Sequence, residues 1–83
     1  MNETPKPRFK KINTAETVEA ASAWGGTTIV RPAASYEVRI TGTLVGTVHK
    51  TQDGMTWVGN YNDGEPAYNG WTRISTAWML VNS

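Results

Sequence analysis

The stretch "YEVRITGTLVGTVHKTQDGMTWVGNY", residues 36–61, constrains the fold more than any other part of the chain. Three runs rich in Val, Ile, Thr, Tyr and Trp are punctuated by Thr41-Gly42 and Asp53-Gly54. Gly at such positions supplies the positive φ that tight hairpins demand. The reading is α+β, built on a three-stranded antiparallel meander with strands near 36–41, 43–50 and 55–61. The two turns set a register. Val38 then faces Val45, Tyr36 faces Thr47, His49 pairs with Val58, and Lys50 pairs with Trp57. One sheet face carries Tyr36, Val38, Ile40, Val45 and Val58; the other carries Leu44, Val48, Met55, Trp57 and Tyr61. A half-buried sheet is apolar on one face only. Here both faces need cover.

The C-terminal "WTRISTAWMLVNS" offers cover for one of them. Trp71, Ile74, Trp78 and Val81 recur at i, i+3, i+7 and i+10, a helical stripe. Thr72 suits an N-cap, with Trp71 before it as a partial hydrophobic staple. The β-branched Thr72, Ile74 and Thr76 also suit a strand. The period outweighs the propensity and predicts a helix at about 72–81. Upstream, Asn13 with Glu16 three residues later resembles a capping box, and Gly25-Gly26 supplies a stop. This predicts a short helix at about 14–24, with Val18, Ala21 and Trp24 on one face. "TTIVRP" reads as a short edge strand halted by Pro32.

Eighty-three residues make one domain with a thin core, rarely worth more than about 3–5 kcal/mol. The formal charge of +1 is unevenly spread. Residues 1–11 hold Lys6, Arg8, Lys10 and Lys11 against Glu3, a net +3, while the remainder sums to −2. Two prolines among those charges predict a flexible basic tail over 1–11, followed by a single domain over 12–83. The absence of Cys excludes disulfides, thiol redox chemistry and Cys-based zinc sites. The first residues lack an apolar signal core and no run approaches a membrane span, so a cytoplasmic protein with no membrane association is expected.

Catalytic patterns are missing. His49 is the one His, and its place opposite Val58 suits a half-buried structural residue better than a base. No Ser stands in a nucleophile elbow. Asp53, Asp63 and Glu65 are turn residues, and "YNDGEP" departs from the alternating acids of a calcium loop. The glycines lack the strand–loop–helix setting of a phosphate cradle. No enzyme activity, no cofactor and no metal are expected.

Four Trp in so short a chain exceed what one thin core requires, and Trp is enriched at interface hot spots. The contact surface is expected on Trp57, Tyr61, Asp63, Glu65, Pro66, Tyr68 and Trp71, centred on a loop at 62–70. A protein partner or a second copy of the chain would satisfy it. The alternative is nucleic acid held by Lys6, Arg8, Lys10, Lys11, Arg39, Lys50 and Arg73.

The layout of "VGTVHKTQDGMTWVGNYNDG" leading to "GWTRISTAWML" resembles two groups. One is the three-strand-plus-helix DNA-binding domains of AP2-type factors and integrase N-termini, whose strands read the major groove with Arg, Lys and Trp. The resemblance spans about residues 36–81, and in it Arg39 and Lys50 are the strand cations. The helix–strand–strand–strand–helix order is also similar to double-stranded-RNA-binding domains, with Arg73 standing alone where their last helix begins Lys-rich. The other group is the small, Cys-free, aromatic-rich accessory proteins of phages and mobile elements. That likeness implies a non-catalytic module that docks on a larger protein and modulates or inhibits it; the first implies DNA binding through the sheet and the basic tail.

Overall fold

The computed structural model describes residues 6–12 and 18–82. Six strands and one helix follow in chain order: β1 (Arg8–Lys11), β2 (Val18–Ala21), β3 (Thr27–Ile40), β4 (Thr43–Thr51), β5 (Trp57–Tyr61), β6 (Pro66–Gly70) and α1 (Arg73–Asn82). The sheet is antiparallel in the order β1-β3-β4-β5-β6, with β2 paired to the first part of β3. The class is α+β, and the helix at the C-terminus is present.

The predicted meander is the centre of a wider sheet. Thr41 and Gly42 both adopt positive φ, 46° and 84°, the twist-matched geometry of a two-residue hairpin. In the second hairpin His49 pairs with Val58 and Lys50 with Trp57, as Asp53-Gly54 predicts. The first hairpin differs. Arg39 pairs with Leu44 but Val38 pairs with Gly46 and Tyr36 with Val48, leaving Val45 as an extra residue in a bulge. One inserted residue exchanges the faces of everything beyond it. Tyr36, Val38, Val48 and Trp57 therefore share one face, and Val58 joins Ser35 and His49 on the other.

Three further corrections concern strands. Arg8–Lys11, expected in a mobile tail, is β1 and pairs with Tyr36–Arg39. The helix expected at 14–24 is contradicted where the structure describes it: Val18–Ala21 is β2, paired with Thr27–Val30, and a turn follows. The proposed cap residues Asn13 and Glu16 lie outside the described residues. β3 does not stop at Pro32. It runs 14 residues, and its pairing with β4 is interrupted between Val30 and Ser35, where a residue without an N–H costs no ladder bond. The break lets the first part of β3 carry β2 back over β5 and β6. Asn60 Nδ2 donates to Ala21 O at 2.8 Å there, and Ala20, Val30 and Val58 form a small buried cluster.

Helix α1 covers the other face over a larger cluster of Val38, Val48, Ala77 and Leu80. Its start is capped as predicted: Ser75 N donates to Thr72 Oγ1 at 3.1 Å. The predicted stripe is not the packed one. Of its members Val81 packs against the cluster, but the buried residues are Thr76, Ala77 and Leu80, whereas Ile74 and Trp71 are exposed, so Trp71 is no staple. The reason lies beneath the helix, where Gly46, Gly59 and Gly70 form a track across β4, β5 and β6. A Cβ on Gly46 would stand 2.9 Å from Leu80 Cδ2, and one on Gly59 3.0 Å from Thr76 Cγ2. A helix lying that close to the backbone packs through Thr76 and Ala77, with Leu80 laid over Gly46, while Ile74 and Met79 stay exposed.

Candidate functional site

β5 and β6 join two unlike ends of the sheet. At one, the chain turns through Asn62–Glu65, and its polar groups are used up locally. Glu65 N donates to Asp63 Oδ1 at 2.9 Å, Tyr61 N to Glu65 O at 2.9 Å, and Asn62 Nδ2 to Leu44 O at 2.7 Å. These are the bonds by which Asx residues hold a turn. The loop expected at 62–70 is thus only four residues of turn, after which Pro66–Gly70 is strand.

The other end gathers apolar side chains. Trp57 pairs with Gly70, so Trp71 emerges directly past β6, 72% exposed. Met55, 69% exposed, projects from the β4–β5 turn. That turn is clasped by Thr51 and Thr56, and Gln52 N donates to Ile29 O at 3.0 Å, which brings exposed Ile29 alongside. Trp24, 69% exposed, arrives on the β2–β3 turn. Asn69 anchors that turn, accepting from Ala23 N at 2.9 Å and donating to Ser22 Oγ at 2.9 Å. Trp24, Met55 and Ile29 are carried by backbone tied down through hydrogen bonds. None is needed to fill either buried cluster.

The predicted contact residues therefore separate. Trp57 and Trp71 stand at the apolar end; Tyr61, Asp63, Glu65 and Pro66 stand at the polar end. The length of β6, five residues at about 3.3 Å each, lies between them. Tyr68 is half-buried, its ring beside Gly70. The turn that bears Trp24 is held to Asn69, two residues before Trp71, although the place of Trp24 on an expected helix hid it from sequence reasoning; the Gly25-Gly26 turn signal that follows it was the available clue.

The cations are grouped by β1. Arg8 pairs with Arg39 and Lys10 with Glu37 on the face away from α1, where Arg39 bridges Glu37 at 3.1 Å. Lys11 pairs with Tyr36 on the helix side. On that side Phe9, Tyr36 and Trp57 form a diagonal row across β1, β3 and β5, with ring centroids 6.1 and 6.2 Å apart. The Arg73 guanidinium lies 4.7 Å from the Phe9 ring and 4.6 Å from that of Tyr36. Lys50 Nζ lies 6.0 Å from the Trp57 ring. Lys6 is exposed ahead of β1.

One Ser–His pair exists among these residues. Ser35 Oγ lies 2.8 Å from His49 Nδ1 and donates to Arg31 O at 2.9 Å, while Thr47 Oγ1 lies 3.1 Å from Nε2. Ser35 is 1% exposed, so its oxygen cannot meet a substrate. With its proton on Arg31 O it accepts from Nδ1–H, which leaves Nε2 to accept from Thr47. Burial lowers the His49 pKa, in keeping with a neutral ring. The Thr51 hydroxyl, with the Met55 amide, lowers that of Asp53. Among the described residues no group of three or more His, Asp or Glu could hold a metal, and no helix is long and apolar enough to cross a membrane. Comparison with protein families, with curated proteins and with solved structures yields no match.

Proposed function

We propose that the chain is a non-enzymatic binding module that docks on a larger protein through its apolar end. The observation that carries this reading is the exposure of Trp24, Met55 and Trp71, each about seven-tenths open to solvent, at one end of a sheet whose core does not use them. Large aromatics left in water forgo roughly 25 cal/mol for every Å² of apolar surface they could bury. Trp, with Tyr and Arg, is enriched among desolvated hot spots. The hydrogen bonds of Asn69 to the Trp24 turn and of Thr51 to the Met55 turn hold their backbone in place before a partner arrives, which lowers the ordering cost of association. Docking through such a surface modulates or inhibits the partner by occupying it.

The test is affinity capture with the intact chain, identification of the captured protein by mass spectrometry, and titration of that protein with variants. Trp71→Ala and Trp24→Ala should each weaken binding by at least about tenfold, while Asp63→Ala at the opposite end leaves it unchanged. Equal binding by all three variants would overturn the assignment of the surface.

A further inference from the structure

The helix side of the sheet carries a second constellation that protein docking at the apolar end leaves unused. Phe9, Tyr36 and Trp57, half-buried against the Val38, Val48, Ala77 and Leu80 cluster, run diagonally from β1 through β3 to β5 with successive rings about 6 Å apart. Arg73, Lys50 and Lys11 accompany them: Arg73 over the first two rings, Lys50 beside the third, and Lys11 on the strand position opposite Tyr36. From this geometry we infer that the row is a binding track for single-stranded nucleic acid.

Three features point to that ligand. The first is charge. Among the described residues no carboxylate pairs with Arg73, Lys50 or Lys11; the ion pair found there joins Arg39 to Glu37 on the opposite face. Asp53, the nearest acid along the chain to Lys50, is engaged by Thr51, Met55 and the Arg31 charge. Three cations on one face, with no acid paired to them among the described residues, attract a polyanion.

The second feature is the state of Arg73. Its guanidinium lies over two rings, and its N–H groups meet no acceptor among the described residues. A guanidinium held over rings in this way keeps its planar fork of donors for a phosphate. Arg73 also opens α1, which has no acid in its first turn. A cation there opposes the helix dipole, a local conflict that a bound phosphate relieves.

The third feature is the presence of rings and cations together on one face. Unpaired bases stack on aromatic planes while Lys and Arg follow the backbone, and this arrangement tolerates many sequences. A duplex hides its base planes, and an acidic peptide has none to offer. Both are outcomes that the experiment separates.

The test uses the full chain and a fluorescein-labelled oligo-dT of roughly 12 nucleotides, a length within the range one small domain covers, followed by anisotropy at two salt concentrations. The expected result is saturable binding that weakens steeply with salt. Arg73→Gln and Lys50→Gln should each reduce affinity at least about fivefold, consistent with loss of a phosphate contact. Arg31→Gln, a cation bonded to Gln52 O away from the row, should be neutral. Tyr36→Leu tests the stack, and the two Gln variants keep the test decisive if that variant does not fold. Absence of binding at low salt overturns the inference. So does equal sensitivity to Arg31→Gln, equal affinity for a duplex of the same length, or equal affinity for poly-glutamate.

Discussion

The two ends of the β5–β6 hairpin differ in where their side chains find partners. At the Asn62–Glu65 end the residues that look conspicuous in sequence are consumed by the fold: Asp63 bonds Glu65 N and Asn62 bonds Leu44 O. At the Trp71 end the turns that bear Trp24 and Met55 are equally well tied, yet Trp24, Met55 and Trp71 hold large apolar surfaces in water. A polar cluster and an apolar cluster of similar size thus carry opposite meanings. Polar turn residues are explained once their hydrogen bonds are assigned, whereas exposed tryptophans on rigid turns are surplus to the fold and available to a partner.

Variants can break this comparison at several points. Leu80→Ala sets the scale for a residue that the fold does need. It removes a side chain 2% exposed between α1 and Gly46, and should cost about 2–5 kcal/mol by urea denaturation. Trp71→Ala should change stability by less than about 0.5 kcal/mol, as surface substitutions do. The same variant should lose about 2 kcal/mol of partner affinity, roughly thirtyfold in Kd. If Trp71→Ala behaves like Leu80→Ala in denaturant, the apolar end belongs to the core.

The polar ends should respond in the reverse sense. Thr41 is a β-branched residue at φ 46°, so Thr41→Asn should raise stability by up to about 1 kcal/mol. Asp63→Ala should lower it by about 1 kcal/mol through the lost turn bond. Neither should alter partner affinity in the same titration.

The smallest effect concerns His49, which belongs to neither end. Burial holds its folded-state pKa below the ordinary value of 6.5. The unfolded chain therefore takes up the proton first as pH falls. Stability is fullest above about pH 6.5, is lost as pH drops toward the folded pKa, and levels off beneath it. His49→Gln should flatten that part of the profile, read from urea midpoints between about pH 8 and pH 5.

Much of the framework was legible because turn chemistry is local. Asp53-Gly54 predicts the His49–Val58 and Lys50–Trp57 pairs, and Thr72 predicts the start of α1. What escaped depends on long-range packing. "VEAA" holds three good helix formers, Glu19, Ala20 and Ala21, yet β3 recruits it as a strand, an override of propensity by tertiary pairing. "PAYNG" has turn composition and still completes the sheet as an edge strand, where Pro at the first position is tolerated. The bulge at Val45 is marked in sequence only by Gly46 within the strand, and it decides which face Trp57 and Val58 occupy.

The candidate surface was legible to the same degree. Trp71 could be named from its type and position, but its association with Trp24 and Met55 required β2 and β6. The Phe9–Tyr36–Trp57 row was hidden for a similar reason. Phe9 enters it only because Arg8–Lys11 adds to the sheet rather than trailing from it.

The most direct test of the central claim is the affinity of the captured protein partner for the Trp24→Ala/Trp71→Ala double variant, measured by calorimetric titration against the intact chain. Two independent hot spots should raise Kd at least about a hundredfold, with the variant retaining the urea midpoint of the parent. An unchanged Kd would show that the apolar end of the sheet is not where the partner binds.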